Sequence, residues 1–260
     1  MTAWRWMPML CLAAACATTA GSRRGDAERA QLALAHQLEA RQDWPALMQL
    51  VDRMHQQGRR SAQTLTLRAS AFRGQGAVDE AEADLRGALD LDSKHAPAHA
   101  ELAVILDVRR KFEEAEKHHL RALDLEPESP EYLNNWGFSL FVRGRSREAV
   151  EVLRRAADGA PLVPRYRNNL GFAYARAGDF ARAAQQFALG GVPAEARNNL
   201  GFAYELADNL PQAFEAYREA VRLDRKLTSA RSNLAYVAER LHRALPPELS
   251  EPAGEERRVQ

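Results

Sequence analysis

The segment Asn134-Asn135-Trp136-Gly137-Phe138-Ser139-Leu140 decides the fold. Its skeleton returns 34 residues later as Asn168-Asn169-Leu170-Gly171-Phe172, and 30 residues beyond that as Asn198-Asn199-Leu200-Gly201-Phe202. The small residue within it belongs to a longer series, since Ala35, Ala69, Ala103, Gly137 and Gly171 are each 34 apart. Leu47, Ala81, Ala115, Ala149 and Ala183 form a second series of the same spacing, and Ala88, Ala122 and Ala156 a third. Small residues in such rows let two antiparallel helices approach at the short end of the roughly 8–10 Å interaxial range. Gly76, Gly144 and Gly178 fall where the two helices of one unit must turn, and Pro127 and Pro161 where one unit hands over to the next. Between these marks apolar residues recur at helical spacing, as in Ala149, Val152, Leu153 and Ala156, with arginine and glutamate on the other face. No strand-like alternation interrupts the pattern.

Composition agrees with an array of packed helices. At 46% hydrophobic and 27% charged, with 15 glycines and 12 prolines in 260 residues, the chain can bury a core and is not of low complexity. Thirty-six basic residues against 35 acidic ones leave a net charge of +1, so no global field draws nucleic acid or an anionic membrane surface. The two cysteines, Cys11 and Cys16, both lie at the N-terminus, which excludes a disulfide scaffold, a thiolate zinc site and a cysteine nucleophile from the rest of the chain. That N-terminus reads as an export signal over residues 1–15: Arg5 precedes an apolar stretch from Trp6 to Ala15 that is too short to span a bilayer.

The periodic rows resemble the tetratricopeptide repeat, a helix–turn–helix unit. The resemblance implies an all-α fold, a right-handed α-solenoid of about six units. In this register the units are 28–61, 62–95, 96–129, 130–163, 164–193 and 194–227, with a closing helix at 228–243 and a flexible tail at 244–260. Departures from the pattern are Leu47 in the first unit, where alanine is usual, and the lack of a turn glycine there. Arg68 stands in place of an apolar residue, and Ser93 in place of proline. The fifth unit is 30 residues long, because Gly190-Gly191-Val192-Pro193 ends its second helix about a turn early. Leu12-Ala13-Ala14-Ala15-Cys16 is similar to a bacterial lipobox, with Ala13 where leucine is preferred. That similarity implies acylation of Cys16, a tether over residues 16–27 and outer-membrane sorting. Cleavage after Ala17 instead would release a soluble periplasmic protein.

In the repeat family the first helix of each unit lines a concave groove through its positions five, six and nine. Here those positions hold Asn134, Asn135 and Phe138, then Asn168, Asn169 and Phe172, then Asn198, Asn199 and Phe202, and Asn233 and Tyr236 continue the rows in the closing helix. Carboxamides offer donors and acceptors to an extended peptide backbone, and each ring adds about 150–250 Å² of apolar surface when covered. These eleven residues are the expected partner-binding groove. Asparagine at position six is also ordinary repeat consensus, and its other role is to brace neighbouring helices. Arg165, Arg167 and Arg176, with Glu131, Glu195 and Glu205, set charges of both signs around the groove.

No catalytic constellation appears. A phosphate loop, a GxSxG elbow and a dinucleotide fingerprint are all missing. His95, His99, His118 and His119 cluster in sequence, yet no thiolate or carboxylate completes a ligand set, so the expectation is no metal, no cofactor and no enzyme. The Asn-Asn-x-Gly runs, together with Gly191-Val192-Pro193-Ala194-Glu195-Ala196 and Ala230-Arg231-Ser232-Asn233-Leu234-Ala235, are similar to the repeat lipoproteins of tight-adherence (Flp) pilus assembly. They are more distantly similar to type IV pilus pilotins. This resemblance implies a scaffold at the periplasmic face of the outer membrane that supports pilus or secretin assembly by holding a protein or peptide partner, with no nucleic acid or small-molecule substrate. The alternatives are an accessory lipoprotein of outer-membrane barrel assembly and a soluble periplasmic chaperone.

Overall fold

The computed structural model describes residues 9–245, with side chains from Gly25 onward. Among the described residues every regular element is an α-helix. They are α1 (Met9–Ala40), α2 (Trp44–Gln56), α3 (Ala62–Gly74), α4 (Val78–Leu91), α5 (Ala96–Val108) and α6 (Phe112–Leu125). α7 (Pro130–Val142), α8 (Ser146–Gly159), α9 (Pro164–Arg176), α10 (Phe180–Leu189), α11 (Pro193–Leu206), α12 (Leu210–Leu223) and α13 (Thr228–Arg240) follow. Two compact units divide the chain within α6, between His118 and His119. α1 continues through residues 16–27, where the sequence suggests a tether. Residues 1–8 of the expected signal and the expected tail from 246 on lie outside the described residues, as does the Cys16 side chain. Among the described residues no helix is long and apolar enough to cross a membrane.

Local chemistry sets the helix ends. Proline occupies the first turn of α2, α5, α7, α9, α11 and α12, where its missing N–H costs nothing. Asp179 accepts from the Arg182 amide at 2.9 Å to cap α10, and Ser61 with Thr64 closes a capping box on α3. Where the first helix of each pair ends, the chain makes one recurrent turn. Gln42, Gly76, Arg110, Gly144, Gly178, Asp208 and His242 all have positive φ, from 51° to 89°. The next amide in each turn reaches back five residues, as in Arg145 N to Leu140 O and Lys111 N to Leu106 O, both 2.9 Å. Glycine marks only three of these seven turns. A side chain in the left-handed region costs about 1–2 kcal/mol. Arg110→Gly is therefore expected to raise the unfolding free energy by up to about 1 kcal/mol, and Gly76→Ala to lower it by about the same, in paired thermal melts. No atom lies within 4 Å of a Cβ built on Gly76, so that variant reports backbone strain alone.

Packing within each pair follows an offset of sixteen residues. In the C-terminal unit a Cβ on Gly137 would stand 2.6 Å from Leu153 Cγ, one on Gly171 2.5 Å from Phe187 Cε1, and one on Gly201 2.5 Å from Tyr217 Cδ1. In the N-terminal unit Ala69 and Leu85 share one core cluster, and Ala35 and Val51 another. Glycine on the first helix is thus matched to a larger side chain on the second, and the space between the axes stays filled. The same offset explains the polar departure at Arg68. Its guanidinium meets Asp84 in two bonds, Nε to Oδ2 at 2.6 Å and Nη2 to Oδ1 at 2.7 Å, with Asp52 at 3.5 Å. Asp84 is buried, and its bonds hold the arginine's pKa above the ordinary value.

Candidate functional site

The C-terminal unit sets α7, α9, α11 and α13 side by side, and positions five, six and nine of each fall along that row. The asparagines divide into two kinds. Asn169 Nδ2 donates to Asn134 Oδ1 at 2.8 Å, joining α9 to α7, and Asn233 Nδ2 donates to Asn198 Oδ1 at 3.0 Å, joining α13 to α11. In both, position six of one first helix braces position five of the one before it, 35 residues earlier. Asn134 is buried and also donates weakly to Asn135 Oδ1 at 3.4 Å. Between α9 and α11 the brace is missing, because the 10-residue α10 shortens the repeat. Asn168 and Asn199 are only 31 apart, and Asn168 Oδ1 is buried with no hydrogen-bond partner among the described residues. That oxygen lies 2.6 Å from a Cβ built on Gly190, so the glycine makes room for it. Asn135 and Asn199 remain half-buried on the row.

The N-terminal unit makes the brace with other groups. Glu101, at position six of α5, accepts from Ser70 Oγ at 2.8 Å and from Arg73 Nε at 3.3 Å, both on α3. Burial pushes the Glu101 carboxyl above its ordinary range, while Arg73 and Ser70 pull it back.

Phe138, Phe202 and Tyr236 project from the row at 46%, 42% and 49% exposure, large for aromatic side chains on a folded chain. Phe172 is different. It is half-buried and packs edge-on against buried Phe187, with ring centroids 4.8 Å apart, and against Phe202 at 5.9 Å. One helical turn beyond the aromatics runs a second row of Val142, Arg176, Leu206 and Arg240, all exposed. Of this row the sequence points to Arg176 as a groove charge, and four-residue spacing from each position-nine aromatic picks out the other three. Between α9 and α11 lies a cavity of about 400 Å³ lined by Phe141, Phe172, Phe180, Ala175, Ala203 and Leu206.

The charges expected around the groove have mixed fates. Arg167 is largely buried, donates to Gln186 Oε1 at 3.2 Å and lies 3.6 Å from Asp158. Arg165 sits over the Tyr166 ring. Glu205 accepts from the Tyr217 hydroxyl at 2.7 Å, and burial with that bond drives the phenol's pKa far up, so it remains a neutral donor. Arg176 is exposed, donates to the Phe141 carbonyl at 3.2 Å and stands 5.2 Å over the Phe141 ring. Glu131 and Glu195 are exposed at the opposite end of the helices. Of the histidines, His99 Nδ1 meets His118 Nδ1 at 2.8 Å, and His119 packs on the Trp136 ring. Among the described residues no group of three or more His, Cys, Asp or Glu gathers as a metal site would require.

Three tetratricopeptide-repeat family models match in succession, over residues 72–134, 135–194 and 194–230. No curated protein matches the sequence. Among solved structures, the chain is similar to a component of the APC/C hetero-tetramer Cut9–Hcn1 (16% identity, TM-score 0.64), covering 80% of this chain but only 42% of that one. It is also similar to Pseudomonas aeruginosa pilF at 18% identity and TM-score 0.63, covering 82% of this chain and 99% of that one. A third is PilW, a type IV pilus biogenesis factor, at 21% identity and TM-score 0.54, covering 72% and 96%. At these identities the likeness is one of fold. With three repeat models running from residue 72 to residue 230, the chain belongs to the tetratricopeptide-repeat family.

Proposed function

We propose that this chain is a non-enzymatic interaction scaffold whose α7–α9–α11–α13 row holds an extended segment of a partner protein. The observation that carries this reading is the run of exposed rings Phe138, Phe202 and Tyr236 beside the parallel row Val142, Arg176, Leu206 and Arg240. A monomer seldom exposes several large aromatic side chains along one row of helices without a surface to cover them. Asn135 and Asn199 add carboxamides for a partner's backbone. In this reading Cys16 carries a lipid anchor to the periplasmic face of a bacterial outer membrane, and the partner is a pilus or secretion-system component such as a secretin. The lipobox-like Leu12–Cys16 run supports the anchor, and the fold likeness to pilF and PilW supports the partner class.

Photo-crosslinking from position 202 in cells, with mass spectrometry of the adduct, tests the reading. A secretin or pilus subunit is the expected adduct. A barrel-assembly protein would replace the partner, and capture only from a residue on α8 or α12 would remove the face. Palmitate labelling that is lost in Cys16→Ala is the expected result for the anchor. Phe202→Ala should leave the melting temperature nearly unchanged while reducing adduct yield from position 236. Phe172→Ala should instead cost about 2 kcal/mol of stability, because that ring fills space against Phe187.

A further inference from the structure

The cavity between α9 and α11 has three rings on its walls, Phe141, Phe172 and Phe180, and the last stacks on Tyr204 at 4.4 Å. Alanines 175 and 203 form its small-residue lining, and exposed Leu206 and Ala207 stand at its mouth. At about 400 Å³ it is at the small end of ligand-pocket volumes, a space suited to one large side chain. Among the described residues its rim has one charge, Arg176, which is exposed, pairs with no carboxylate and donates to the Phe141 carbonyl. The carboxylates in nearby sequence are engaged elsewhere. Glu205 accepts from Tyr217, Asp179 caps α10 and pairs with Arg182 at 3.3 Å, and Asp208 faces Arg240 at 3.8 Å. Rings alone would also suit a cation, but a cation at this rim would meet Arg176 and find no free acid to offset it.

We infer that this cavity takes an aromatic side chain from the partner segment, and that Arg176 takes a carboxylate next to it. The inference rests on the reading of the α7–α13 row given above. It narrows the partner to a segment in which an aromatic residue is flanked by acidic ones, with the ring seated edge-on among Phe141, Phe172 and Phe180.

The test titrates the full chain into a short fluorescein-labelled peptide carrying one tryptophan followed by two aspartates. Two comparison peptides replace the aspartates with lysines or the tryptophan with alanine. Each replacement is expected to weaken binding at least about tenfold. Arg176→Glu, at an exposed position, should weaken the aspartate peptide by a similar factor and favour the lysine peptide instead. Ala207→Trp, also exposed, should block the mouth and abolish binding of both. No binding of the aspartate peptide, equal binding of all three, or binding that survives Ala207→Trp overturns the inference. If the peptide fails while position 202 still crosslinks to a partner, only the cavity's chemistry is wrong; if both fail, the row itself is not the working face.

Discussion

Gly171→Leu is expected to lower the unfolding free energy by about 3 kcal/mol, at the upper end of what overpacking a filled core costs. A Cβ at this position would already stand 2.5, 2.7 and 3.0 Å from three carbons of the Phe187 ring. Phe187 has no exposed surface, and it is enclosed by Ala175, Ala183, Ala196 and Leu200 with Phe172 against its face. Either the enclosed ring or the α9 and α10 backbones must shift to admit the leucine. Phe187→Ala alone should cost a similar amount, about 3–5 kcal/mol, by leaving a cavity. The double variant Gly171→Leu/Phe187→Ala should cost clearly less than the sum, because the leucine fills part of the space the ring vacates. Urea-unfolding midpoints of the four proteins complete the cycle. An unchanged midpoint for Gly171→Leu, or additive costs, would mean the two helices do not meet through this glycine.

Asp84→Ala is the second large effect, about 3 kcal/mol of destabilisation. The carboxylate is buried and both its oxygens are held by Arg68, whose side chain keeps 24% exposure. Removing it leaves a charged guanidinium in a site built for a pair, with only the half-exposed Asp52 at 3.5 Å in partial compensation. The expected cost therefore lies at the low end of the range for breaking a buried pair. Arg68→Leu/Asp84→Leu should recover most of the loss, since two apolar side chains need no partner. The effect of Asp84→Ala should persist in high salt, unlike that of exposed pairs such as Arg154 with Glu151, which add little to stability. Melting in low and high salt checks both points, and a loss that salt erases would mean the pair is solvated.

Much of this packing could be read in advance, because a strict period places equivalent residues in equivalent surroundings. Gly137 and Gly171 were legible as close-approach points from their spacing alone, and Gly190-Gly191-Val192-Pro193 as an early helix stop; α10 has 10 residues where α8 and α12 have 14. Arg68 stood out as a departure, but its partner did not, since that requires the sixteen-residue offset between helices of a pair. Four of the seven left-handed turns escaped notice because Gln42, Arg110, Asp208 and His242 do not advertise positive φ. The doubled asparagines were harder still. Sequence puts Asn134 and Asn135 beside each other, but a helix turns about 100° per residue, so one goes into the joint and its neighbour stays on the face. Nor does a row of position-nine aromatics reveal that Phe172 is held down by Phe187 while Phe138 and Phe202 stay exposed. Burial of one ring depends on the size of a side chain on the next helix.

The carboxamide bridges also act as a length gauge on the repeat. A bridge closes only when two first helices are one full repeat apart, so gaining or losing whole 34-residue blocks keeps every bridge in step. A change of any other length throws one out of phase. The fifth repeat is such a change, and the unsatisfied oxygen of Asn168 is its trace. The bridged row is left as two ratcheted pairs, α7 with α9 and α11 with α13. A chain laid along it must therefore be read in two frames, offset from each other beside the three-ringed cavity.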